Sequence, residues 1–371
     1  MIHFLVNNDY QLLDARRHRR ELAEIGLDAV LIEIPHTLEA SRSGQDFTRV
    51  VRLPSPARAM KWLKSWRGYR KLPAVIAAEL RPGPEDVLFF YTEFDLANHM
   101  VARHFKAAGA RVYLLEDGGL GTYVPLSAPG GEPLTLKERI IAAMTRLLPG
   151  LGDTRFAKVN AQVYPWLPDE LVDGLCVYRD IAPVRRLEVL LMEPDRRARV
   201  EPVRGRAIFL NQPMYDHFQT AEDYLADLDR ILTALGKGFA EVFFKFHPRE
   251  SAAWRTRIGA LMRERHPGIQ LIEERQPFEE LASTWRPEVL ASYFSTALLN
   301  MAPGIEPLFL YHLIPAIARQ PTFEQTTSLL QRWGYRFAPT FDAVRTGYVG
   351  GLEVDDLEPR VRLSSLVNGT P

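Results

Sequence analysis

The sequence predicts an α/β protein of two Rossmann-like domains, their parallel sheets facing a central cleft. Three observations lead there. Short apolar runs rich in β-branched and aromatic residues alternate with helix-period stretches, which is the pattern of β-α-β units. The alternation occurs twice, on either side of an arginine- and proline-rich segment. The 371 residues also exceed what one hydrophobic core usually organises. The expected domains are 1–185 and 205–371, with a linker over about 186–204 and a C-terminal helix packed back on the first domain.

His3–Val6 reads as a strand ending in Asn7-Asn8-Asp9, and Leu12–Ile25 as a helix stopped by Gly26. Ala29–Ile34 is the second strand, ended by Pro35. Arg58–Lys71 carries Arg58, Lys61, Lys64, Arg67, Arg70 and Lys71 with Trp62, Trp66 and Tyr69, and no acidic residue. Such a helix either rests on anionic headgroups or a polyanion, or turns its aromatics to the core and its basic face to water. Asp86–Tyr91 is a strand, Leu96–Ala108 a helix closed by Gly109, and Arg111–Leu115 a strand followed by Glu116-Asp117-Gly118-Gly119-Leu120-Gly121. Carboxylates beyond a strand's carboxyl end stand in catalytic position for this architecture, and glycines let a ligand approach the backbone. A plain turn also favours Asp and Gly. The order is not the Gly-x-Gly-x-x-Gly dinucleotide fingerprint. Leu136–Leu148 reads as a packing helix.

The second series starts with strand Ala207–Leu210 and its end loop Asn211-Gln212-Pro213, then a helix over Glu222–Leu235 ended by Gly236. Val242–Phe246 is a buried strand, and Pro248 forces it to stop at His247. Lys245, His247 and Arg249 then stand at its carboxyl end, where ligands of open α/β sheets sit, as a phosphate site or as an ordinary turn. Helix Glu250–Arg265, strand Ile269–Ile272, short helix Pro277–Ala282 and strand Val289–Tyr293 follow. Ser295 and Thr296 come just where a helix would begin, to bind an anion or simply to cap.

Lys+Arg and Asp+Glu are both 46, so no global basic field argues for nucleic acid. Cys176 is the single cysteine, which excludes an internal disulfide and a cysteine-based metal cluster and fits a reducing cytoplasm. Met1–Asp9 lacks the features of a signal peptide, and no stretch reaches the length of a spanning helix. The expectation is a cytoplasmic protein, with peripheral contact at the inner membrane left open through Arg58–Lys71.

Three signals occur in a definite order: Glu116-Asp117-Gly118, Lys245-Phe246-His247-Pro248, and Ser295-Thr296. With Phe278-Glu279-Glu280-Leu281 between the last two, this order resembles bacterial sialyltransferases, most closely the polysialyltransferase-like capsule enzymes, over about residues 3–300. The resemblance implies the GT-B architecture, with the donor in the second domain. It implies an inverting, metal-independent transfer of sialic acid, or a related nonulosonic acid, from a CMP-activated donor to a glycan or glycolipid hydroxyl in capsule or lipooligosaccharide synthesis. Glu116 would be the general base with Asp117 supporting it, and His247 would hold the CMP phosphate and assist its departure. Lys245 would line the nucleotide pocket, Ser295 and Thr296 would bond the phosphate, and Glu279 the ribose, with Glu274 as a rival. Gln212 and Pro248 complete the donor-side candidates; Asn7, Asn8, Tyr91 and Gly118 are those of the acceptor side. No resident cofactor or metal is implied. The alternatives are a CMP-Kdo or other nucleotide-sugar transferase, a nucleotide-sugar epimerase, and a non-catalytic nucleotide- or carbohydrate-binding scaffold.

Overall fold

The computed structural model describes residues 1–36, 46–56, 62–92, 95–117, 171–179, 188–193, 199–216, 218–248, 250–274, 276–335, 337–345 and 360–368. The chain divides into two compact units, Met1–Asp195 with Glu358–Pro371, and Arg196–Leu357.

The first unit holds a parallel sheet of β1 (Ile2–Val6), β2 (Ala29–Glu33), β3 (Arg49–Arg52), β4 (Val87–Phe90), β5 (Arg111–Leu115), β6 (Gly174–Val177) and β7 (Glu188–Leu191), in the order β3-β2-β1-β4-β5-β6-β7. Residues of β1, β2 and β4 are buried throughout, as continuous apolar runs covered on both faces should be. Helix α1 (Asp9–Glu24) starts three residues before the first apolar position of its pattern, because the Asn8 side chain accepts the Gln11 N–H and caps it. Gly26 follows its end in the left-handed region, φ 74°. Helix α2 (Trp62–Glu79) buries Leu72 and Ile76, while Arg67, Arg70 and Lys71 are exposed, so this described part of the basic stretch has its cationic face in water. Asp95 caps α3 (Leu96–Ala107), accepting the Ala97 N–H at 2.8 Å. The C-terminal helix α9 (Leu363–Asn368) belongs to this unit: the Arg111 guanidinium donates to the Leu366 and Val367 carbonyls at 2.5 and 2.8 Å.

The second unit has a parallel sheet of β8 (Val203–Leu210), β9 (Glu241–Lys245), β10 (Gln270–Ile272), β11 (Pro287–Ser292) and β12 (Glu306–Phe309), ordered β10-β9-β8-β11-β12. Helices α4 (Ala221–Gly238), α5 (Ala252–Arg265), α6 (Phe278–Trp285), α7 (Pro315–Ala318) and α8 (Pro321–Arg332) accompany it. Several expected bounds move for local reasons. Gly236 does not stop α4, which runs two residues further. Glu250 lies outside α5, whose cap is Ser251. Strand β9 ends at Lys245, two residues before the expected stop. Strand β12 contains Pro307, which an edge strand tolerates and which hides it from a pattern reading. After β11 there is only a three-residue 3-10 turn, Thr296–Leu298, in place of the expected helix.

Candidate functional site

In each sheet the chain builds outward on one side of its first strand and then crosses to the other. The crossing points lie between β1 and β4 in the first unit and between β8 and β11 in the second. Ligands of open α/β sheets bind beyond the carboxyl ends of strands at such points.

At the first crossing point the strand ends are braced by amides. The Asn7 side chain donates to the Ile34 carbonyl at 3.0 Å and exchanges hydrogen bonds with Asn98 at 2.8 and 3.2 Å. Asn98 also donates to the Thr92 carbonyl at 2.8 Å. These contacts join the ends of β1, β2 and β4. Gln11 accepts the Asn7 N–H at 2.7 Å and donates to Asp117 Oδ1 at 2.6 Å, which extends the brace to β5.

Two carboxylates follow β5. Glu116 is fully buried, and its Oε2 accepts the Tyr178 N–H at 2.9 Å. Asp117 is half-buried. Burial pushes the Asp117 carboxyl up to about 7; neighbouring Glu116 and Asp14 add to the rise, against the bonds from Gln11 and Asn8. Behind them the Tyr178 hydroxyl donates to both Asp14 oxygens at 3.1 Å, and Arg17 and His18 sit 3.0 and 3.4 Å from that carboxylate. Burial alone would raise Asp14, but Arg17 and His18 hold it well below the usual carboxylate range. Asp14 therefore stays an anion beside Asp117. Burial, with Asp14 adding to it, keeps Tyr91 and Tyr178 neutral far above the usual phenol range.

At the second crossing point Gln212 Oε1 accepts the Phe294 N–H at 2.8 Å and the Ser292 hydroxyl at 3.2 Å, tying β8 to β11. Asn211 donates to Glu250 at 2.9 Å and accepts the Tyr224 hydroxyl at 2.9 Å. Glu250 also accepts the Tyr215 hydroxyl at 2.7 Å, and Tyr215 stacks on Trp254 with ring centroids 3.8 Å apart. On this floor stands Lys245, buried at the end of β9, its ammonium donating to the Glu274 carbonyl. The His247 carbonyl accepts the Glu250 N–H at 2.9 Å, which closes the turn through Pro248.

Each expected residue takes its place accordingly. Lys245, His247 and Pro248 stand at the end of β9, Gln212 follows β8, Ser295 and Thr296 follow the neighbouring β11, and Glu274 touches Lys245 through its backbone while its side chain is exposed. Ser295 caps the 3-10 turn by accepting the Ala297 N–H at 3.3 Å, and the missing helix removes the N-terminal dipole expected there. Glu279 lies in the first turn of α6. Asn7 and Tyr91 are buried beneath the edge, and Asn8 caps α1 while its side chain also bonds Asp117. Gly118, Glu93, Phe94, Arg249, Leu136–Leu148 and Arg58–Lys61 lie outside the described residues. Sequence reasoning missed Gln11, Asp14 and Tyr178 in the first unit, and Asn211 and Glu250 as partners in the second. The first two carried a signal: they are polar residues on the buried stripe of α1, beside Leu12, Ala15 and Leu22. Among the described residues no group of three or more His, Cys, Asp or Glu could hold a metal ion, and no helix is long and apolar enough to cross a membrane.

Two parallel-sheet units with polar residues massed at both crossing points place the chain in the GT-B class, and solved structures share that fold at low identity. A UDP-GlcNAc 2-epimerase from Neisseria meningitidis is 10% identical over 89% of this chain and 85% of its own, with a TM-score of 0.52. A putative UDP-N-acetylglucosamine 2-epimerase from Listeria monocytogenes is 9% identical over 95% and 92%, again at 0.52. The spinosyn forosaminyltransferase SpnP is 14% identical over 93% and 88%, at 0.49. No curated protein sequence matches. Residues 26–305 match the family model of alpha-2,8-polysialyltransferase (POLYST). The chain belongs to that family and is a glycosyltransferase.

Proposed function

We propose that the chain transfers sialic acid, or a related nonulosonic acid, from a CMP-activated donor to a hydroxyl of a glycan acceptor, with inversion. The observation that carries this reading is the carboxylate pair after β5, where Asp117 takes up a proton near neutral pH. A general base works best with its proton affinity near the working pH. Asp117 is the more accessible of the pair, so we give it the base role, and Glu116 supports it by charge from its buried position. That exchanges the roles which the family resemblance implies.

The acceptor hydroxyl gives its proton to Asp117 while its oxygen bonds the anomeric carbon of the donor sugar. The bond from that carbon to the phosphate oxygen breaks, and its electron pair leaves with CMP. Lys245, His247, Ser295 and Thr296 stand where donors can meet the growing phosphate charge. Glu279 is our candidate for the ribose hydroxyls, ahead of Glu274, whose backbone is engaged by Lys245. In this reading the transfer needs no metal, and the protein works in the cytoplasm, with the exposed Arg67, Arg70 and Lys71 available to an anionic acceptor or membrane surface.

The test is incubation with CMP-sialic acid and an α2,8-linked sialic acid oligomer, in EDTA, with CMP-Kdo and UDP-GlcNAc in parallel. Elongated oligomer and stoichiometric CMP are expected. Transfer from CMP-Kdo alone would change the donor. Epimerised UDP-GlcNAc, or no turnover of any donor, would overturn the reading.

A further inference from the structure

We propose that Gln11 is the positioning residue of the first unit's site: its side-chain amide fixes the orientation and proton affinity of Asp117. This deepens the functional reading above and rests on it for the catalytic readout. Gln11 is fully buried on the first turn of α1, with its own N–H held by Asn8 at 2.9 Å. Its Oε1 accepts the Asn7 N–H at 2.7 Å. A backbone N–H can only donate, so this bond fixes which end of the amide is oxygen and turns Nε2 toward Asp117. The 2.6 Å bond then holds Oδ1, and the Asn8 side chain is a second partner of the Asp117 carboxyl.

The brace beneath is rigid. Asn7 is pinned by the Ile34 carbonyl and by Asn98, and Asn98 by the Thr92 carbonyl. All of these groups are neutral, so they supply donors without adding charge. The charged groups facing Asp117 are Glu116 on its own segment and Asp14 on α1, with Arg17 and His18 engaged on Asp14. Burial and both carboxylates favour the protonated acid. The Gln11 bond favours the anion and moderates the rise, so losing it moves the titration further up.

The test compares wild type with Gln11→Met, which keeps the length and loses the donor, by carboxyl-carbon NMR titration of Asp117, assigned through Asp117→Asn, and by the pH profile of transfer. The wild-type midpoint is expected near 7. Gln11→Met should raise it by about one pH unit, which lowers kcat at pH 7 by about fivefold and is largely recovered by raising the pH. KM for the CMP-sugar should stay within about twofold, since the donor contacts are untouched. Gln11→Glu, which keeps the acceptor for Asn7, should also raise the midpoint and serves if the methionine variant does not fold. An unmoved midpoint, or a kcat loss equal at every pH, would overturn the assignment. If wild type forms no product, the functional reading fails, and the titration still decides what Gln11 does.

Discussion

The two sheet edges share one construction and hold opposite chemistry. In both, polar side chains tie strand ends together across the crossing point: Asn7, Gln11 and Asn98 in the first unit, Gln212, Asn211 and Ser292 in the second. Above that floor the first edge gathers carboxylates, Glu116, Asp117 and Asp14, whereas the second offers a buried lysine and hydroxyls around Lys245, His247 and Ser295. In the proposed reading the first edge takes the acceptor's proton and the second meets the donor's phosphate. The comparison teaches that the two floors are built alike and that the few residues standing on them differ.

The largest expected effect breaks the first edge. Asp117→Asn should lower transfer by about a thousandfold, the range of a lost general base, in a chain that still folds; a rate assay at saturating donor reads it, and a loss under tenfold would return the role to Glu116. Next comes the floor of the second edge. Asn211→Leu takes one donor from Glu250 and the acceptor from the Tyr224 hydroxyl and should cost about 2 kcal/mol by denaturant unfolding.

A third prediction uses the sign of the Asp117 titration. Its folded value, about 7, lies above its ordinary value of 3.8. Between those pH values the folded chain keeps a proton that the unfolded chain has released. Stability from this group is therefore full below that window, declines across it and is flat above. Asp117→Asn removes the decline, so it should melt higher than wild type at pH 8, by on the order of 2 kcal/mol, and about equal to it at pH 4. No gain at pH 8 would mean that the carboxyl is not strained. The smallest effect is Thr220→Ala, which removes the cap of α4 and should cost about 1 kcal/mol in thermal melts while leaving turnover unchanged.

The units were legible in the sequence because buried parallel strands are near-continuous apolar runs, as in Phe4–Val6, Val87–Phe90 and Val242–Phe244. Some strands were not seen: β3 is bounded by Arg49 and Arg52, β12 holds Pro307, and β6, though apolar, is only four residues long. Positions at strand ends were legible too, since chain order alone brings Glu116, Lys245 and Ser295 to their edges. Partners were not. The bond from Gln11 to Asp117 spans 106 positions, and that from Asn211 to Glu250 spans 39, so only folding reveals them. The same holds for the acidic pair, whose adjacent residues find different partners: Glu116 accepts the Tyr178 amide and Asp117 the Gln11 amide.

Calorimetric titration of CMP into wild type, Asp117→Asn and Lys245→Ala tests the separation of tasks most directly. Equal affinity in wild type and Asp117→Asn, with at least about tenfold weaker binding in Lys245→Ala, is the predicted result. CMP affinity that survives Lys245→Ala unchanged, or disappears with Asp117→Asn, would contradict it.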